Sequence, residues 1–171
     1  MHIQSFNKTI DIWIAELDHY NLDQLRTKPA PASWSLGQVY IHIIDDTHYY
    51  IDQIKACTPL QVHTNDDATD RARVMLLNND FPNEMIEGSP NNDKVPQPVS
   101  IDQLRNGMLA LRAEMNKVAL EISKGALPGK AQHPGFNYLT ANEWLQFAEM
   151  HIRHHLRQKK RIDLFLSSIK L

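Results

Sequence analysis

An all-α four-helix bundle is the fold the sequence predicts, and three observations carry it. Four segments repeat apolar residues at helical spacing. Three of the four open on a Ser or Thr followed three places later by Gln or Glu, the pattern of a capping box. Between the second and third segments lies a stretch, residues 58–98, rich in Asn, Asp and Pro. A connection this long is unusual in a compact domain, but a bundle whose second and third helices run parallel needs such a crossover. The expectation is therefore one bundle domain spanning residues 1–171.

The first helix is expected near residues 6–20. Phe6, Ile10, Trp13, Leu17 and Tyr20 step by four, three, four and three, which makes one apolar face. The second is expected over about 35–57. Pro29 and Pro31 break the chain ahead of it, Ser35 and Gln38 cap it, and Leu36, Tyr40, Ile43, Thr47, Tyr50 and Ile54 form its stripe. A weaker helical piece, Thr69 to Leu77, falls inside the long connection, with Val74 and Leu77 expected to face inward. The third main helix, about 101–123, follows Ser100 and Gln103. Ile101, Leu104, Met108, Leu111, Met115, Val118 and Ile122 keep a nearly strict heptad step. Gly107 lies in its middle, where it costs about 1 kcal/mol relative to Ala, so a close helix approach is the compensation to look for. The fourth, about 141–168, follows Thr140 and Glu143 and carries Trp144, Phe147, His151, His155, Gln158, Ile162 and Phe165 on one stripe. No stretch alternates apolar and polar residues between turn signals, so no β domain is expected.

Composition narrows the function classes. The chain has 171 residues and a formal net charge of -2, which gives no global pull toward nucleic acid or anionic lipid. No run approaches the ~20 apolar residues of a membrane span. The N-terminal stretch has no basic region and is interrupted by Asp11, Glu16 and Asp18, so it does not read as a secretory signal. A single cysteine, Cys57, rules out a disulfide framework and a Cys-rich metal site within the chain, and a reducing cytoplasm is the natural compartment. The basic run Arg153, Arg157, Lys159, Lys160 and Arg161 has no interleaved aromatics and reads as a solvated helix face, not a nucleic-acid surface. The acidic stretch Asn65–Asp70 lacks the Gly and final Glu of a calcium-binding loop. No phosphate-binding glycine pattern is present.

Histidine is the abundant reactive residue, with nine copies, and three of them fall within residues 151–155. His151 and His155 are four apart, so on a helix they project from one face, one turn apart. Two imidazoles at that spacing can converge on one ion at about 2.0–2.1 Å each. A third ligand must come from another element, and His42 on the second amphipathic helix is the best placed. His154 points about 100° away from His155 around the helix axis and is not expected to join them. The pair also lies on the inward stripe, where imidazoles without a metal would need polar partners.

Two segments carry a family resemblance. WSLGQVYIHII, residues 34–44, resembles the second helix of DinB-like (YfiT-like) proteins, which opens with a Trp and places a metal-binding His eight residues later, here His42. The tract from His133 to Leu166 resembles their last helix and the loop leading into it. Family members show H-x-x-H-H-x-x-Q there, with the first and last His as ligands, here His151 and His155. The resemblance implies a helical bundle with a long crossover, often dimeric, that binds zinc, nickel or another divalent ion through three histidines. It also implies a small-molecule reaction, either transfer of a low-molecular-weight thiol such as bacillithiol or mycothiol, or hydrolysis. The central connection here is longer and more polar than in the thiol transferases, which leaves the substrate open.

The expectation is a metal-dependent enzyme with a three-histidine site, His42, His151 and His155. Its cofactor is a divalent transition metal, zinc or nickel, and its partner is a small molecule. No nucleic acid or membrane partner is expected, and a homodimer comes only from the resemblance. Asp46, one turn from His42 on the same face, is the expected general acid or base, ahead of Asp45, His48, Glu149 and His154. Gln158 stands open between orienting a ligand or substrate and a plain helix–helix hydrogen bond. The alternative is a non-catalytic helical protein that binds a ligand or partner and keeps only a vestigial metal site.

Overall fold

The computed structural model describes residues 2–59, 66–82 and 94–169. Helix α1 (His2–Glu16) runs into a 3-10 turn (Leu17–His19), and a short helix α2 (Leu22–Arg26) follows. Helix α3 spans Leu36–Ala56, α4 Asp70–Asn78 and α5 Ile101–Ser123. Strands β1 (Lys130–His133) and β2 (Asn137–Thr140) precede the last helix, α6 (Ala141–Ser168). The four long helices α1, α3, α5 and α6 correspond to the four periodic segments. Among the described residues, no helix is long and apolar enough to cross a membrane.

The long helices begin where cap chemistry says they should. Ser35 Oγ accepts from the Gln38 N–H while the Gln38 side chain returns to the Ser35 N–H. Thr140 and Glu143 close the same reciprocal pair at α6. Ser100 caps α5 through the Gln103 N–H, but Gln103 reaches past it to the Val99 N–H, so the box expected there is half formed. A further box, Asn21 with Gln24, starts α2. Each cap is worth about 1 kcal/mol relative to Ala.

α1 and α3 each pack on both α5 and α6. Phe6, Ile10 and Trp13 from α1, Leu104, Met108, Leu111 and Met115 from α5, and Trp144 and Ile162 from α6 are buried where these helices meet. Gly107 permits the α3–α5 approach: a Cβ there would lie 2.6 Å from Ile44 Cδ1. Polar bonds then fix the registers. Trp13 Nε1 donates to the Ile152 carbonyl at 3.1 Å, and the Tyr40 hydroxyl donates to the Trp13 carbonyl at 2.8 Å. The first ties α1 to α6 between the two histidines of interest, and the second ties α3 to α1.

Three expectations need correction. A β-hairpin, pairing Lys130 with Thr140 and His133 with Asn137, stands where the sequence pattern indicates only a loop. Each strand has four residues and a weak burial pattern, too short for alternation to show. In α4 the inward residues are Ala72 and Met75, whereas Val74 is 56% and Leu77 86% exposed. A nine-residue helix with apolar residues at 72, 74, 75, 76 and 77 offers two stripes, and the sequence alone does not choose between them. Finally, α1 stops at Glu16 and the 3-10 turn carries Leu17, so the first helix begins and ends about four residues earlier than its periodicity implies.

Candidate metal centre

α3 delivers His42, and α6 delivers His151 and His155 one turn apart. The three side chains converge, with one ring nitrogen from each lying within 4.8 Å of the others. His151 Nε2 and His155 Nε2 are 3.1 Å apart. Two ligands held at about 2.0–2.1 Å from one ion in tetrahedral geometry sit roughly 3.3 Å apart, so the observed spacing fits a shared ion. His42 packs edge-on against both partners, with ring centroids 5.1 Å from His151 and 4.9 Å from His155.

Burial sets the protonation of this cluster. Desolvation pushes His42 down to about 4 and His155 down to about 3, with His42 adding to the depression of His155. His151 is held well below the ordinary imidazole range by burial first and by its histidine neighbours second. All three are therefore neutral at pH 7, with lone pairs free for a soft or borderline cation. Gln158 Oε1 lies 2.8 Å from His155 Nδ1, whereas His151 Nδ1 is buried with no hydrogen-bond partner among the described residues.

Asp46 sits beside the cluster. Its Oδ2 is 3.5 Å from His42 Nε2 and 3.7 Å from His151 Nε2, and the Tyr50 hydroxyl donates to the same oxygen at 3.4 Å. Burial raises its carboxyl to about 6, against the lowering effect of the Tyr50 bond. The other acid–base candidates are elsewhere. Asp45 is exposed, and His48 faces Glu114 at 3.8 Å. Glu149 is buried, accepting from Thr9 and Arg153. His154 turns away from the shared point and packs on Phe81, ring centroids 5.5 Å apart.

The surrounding wall is aromatic, and Phe81 is the member of it that the sequence pattern does not single out. Trp34 lies 4.8 Å from the His42 ring and Tyr50 5.4 Å from the His151 ring, while Phe81 meets both Phe147 and His151. Phe81 comes from the segment after α4, and α6 holds that segment in place. Asp80 accepts from Arg153 at 3.3 Å and from Arg157 at 2.5 Å, and Gln146 donates to the Leu76 carbonyl at 2.7 Å. Lys159, also buried, pairs with Glu16 and Asp163 at 2.7 Å each. Three members of the basic run are thus committed to internal ion pairs. Their only sequence signal is i, i+4 spacing along α6, which does not reveal partners more than seventy residues away. A groove of about 810 Å³ runs along α4 and shares Phe81 with this wall, but none of the three histidines lines it.

A helical protein with three neutral histidines converging from two packed helices is a candidate metalloprotein of the three-imidazole class. The chain belongs to the DinB superfamily, whose family model matches residues 5–158. No curated protein matches it.

Proposed function

We propose that this protein is a metal-dependent enzyme that binds one divalent transition ion, zinc or nickel, through His42, His151 and His155, and transfers a thiol to, or hydrolyses, a small molecule. The observation that carries the reading is the convergence of three imidazole nitrogens, from buried His42 and His155 and half-buried His151, within 4.8 Å. Family membership supports it. When bound, the ion supplies Lewis acidity that brings the pKa of a water or thiol toward neutrality. Three protein ligands leave a position for that group. The chain's own residues do the rest. The α3–α6 packing holds the imidazoles in place, and the aromatic wall keeps water away on the Phe81 side. Asp46, within 3.7 Å of two ligand nitrogens, accepts the proton that the nucleophile gives up. Its carboxyl, lifted to about 6, is mostly ionised at pH 7 yet basic enough to hold the proton in turn.

In the same reading the four long helices form a four-helix bundle, with the α3–α5 connection as its crossover. The protein works in the cytoplasm without nucleic acid or membrane. Metal analysis of protein purified without a His tag tests the centre. About one equivalent is expected for the wild type, and far less for His42→Ala, His151→Ala and His155→Ala. Metal well below one equivalent in the wild type, even after reconstitution, would instead leave a ligand-binding helical protein with a vestigial site.

A further inference from the structure

The two α6 histidines of the cluster are not equivalent. For His155 to present the Nε2 lone pair to a shared ion, its proton must sit on Nδ1. A buried N–H needs an acceptor, and Gln158 Oε1 provides one at 2.8 Å. His151 Nδ1 has no such partner among the described residues. Gln158 lies three residues beyond His155 on the same helix, half-buried, so helix geometry itself carries its amide to the far side of the ring.

We propose that Gln158 is a positioning residue. It holds His155 in the Nδ1–H tautomer and fixes the ring's aim, which makes His155 the pre-set ligand of the triad. The proposal rests on the metal-binding reading above. A simple helix–helix hydrogen bond would not tie Gln158 to the ring nitrogen that selects the tautomer. Partners of this kind orient metal-ligating imidazoles and raise their basicity.

The test compares full-length wild type with Gln158→Leu, which keeps volume and removes the acceptor, and Gln158→Glu, which restores an acceptor with added charge. Zinc affinity is measured by competition against a chromogenic chelator. Gln158→Leu is expected to weaken zinc binding roughly 10- to 100-fold, and Gln158→Glu to match or exceed the wild type. Long-range ¹H–¹⁵N spectra of the metal-free proteins read the tautomer directly. The wild type is expected to show His155 protonated at Nδ1, and Gln158→Leu a shift toward the other form. Unchanged zinc affinity with an unchanged tautomer in Gln158→Leu overturns the proposal, as does an Nε2–H tautomer in the wild type. Should Gln158→Leu fail to fold, Gln158→Asn, whose shorter side chain falls short of the ring, takes its place with the same expected losses. A wild type that binds no zinc overturns the metal reading, while the tautomer spectra still judge the Gln158 contact by itself.

Discussion

Lowering the pH of the metal-free protein is expected to destabilise it through the histidine cluster. In the unfolded chain an imidazole titrates near 6.5. In the folded protein burial holds His42 down to about 4 and His155 down to about 3, with His151 also well below its ordinary range. Below pH 6.5 the unfolded chain therefore takes up protons that the folded chain refuses. The stability these groups contribute is complete above about pH 6.5 and is lost progressively as pH falls toward 4. At pH 5.5 each such group costs about 1.4 kcal/mol, so the three together cost about 4 kcal/mol. That is a large share of the 5–15 kcal/mol typical of a whole domain. Urea denaturation in the presence of a chelator, at pH 7.5 and at pH 5.5, measures the loss. The comparison is with the variant carrying His42→Gln, His151→Gln and His155→Gln, which has nothing to titrate at these positions. The wild type should lose about 4 kcal/mol more than the variant between the two pH values. His133, which burial also lowers to about 4, is common to both proteins and cancels. Parallel losses, within about 1 kcal/mol, would refute the claim that the three imidazoles are held neutral by desolvation.

Two further outcomes follow from the packing. Gly107→Val should destabilise the protein by about 1–3 kcal/mol, lowering Tm by roughly 2–4 °C per kcal/mol, because the new side chain meets Ile44 where α3 and α5 touch; an unchanged thermal melt would show that α3 yields freely there. His154→Ala should keep one equivalent of metal, since that ring faces Phe81 rather than the shared point; metal loss equal to that of His155→Ala in the same metal analysis would contradict the register of α6.

Much of the site was legible because its determinants are local. The i, i+4 spacing of His151 and His155 and the inward stripe from Trp144 to Ile162 depend only on helix geometry, and the structure buries Trp144, His155 and Ile162 along it. The periodicity of α3 was legible too, and Leu36, Tyr40, Ile43, Thr47, Tyr50 and Ile54 are all buried on its stripe. His42 lies off that stripe and is reached through the WSLGQVYIHII motif, and Asp46 through its i, i+4 spacing from His42. What stayed hidden depends on contacts far apart in sequence. The two-arginine grip on Asp80 joins residues more than seventy places apart, and it brings Phe81 to the histidines. Leu77 shows the reverse failure: its hydrophobicity argues for burial, yet α4 turns Ala72 and Met75 inward and leaves it 86% exposed. The hairpin ahead of α6 escapes a sequence reading because four-residue strands carry too little pattern to separate from a loop.

The grip on Asp80 also ties down the Phe81 side of the histidines. Peeling the Phe81 segment off α6 would pull a single carboxylate away from two guanidinium groups at once, and would strip Arg153 of its bond to the Asn79 carbonyl as well. Beside His42 and His151, no comparable arginine pair is found among the described residues, and the Asp46 side chain there is 39% exposed. Under the proposed metal-binding reading, a group arriving over Asp46 would meet a carboxylate before it meets an imidazole.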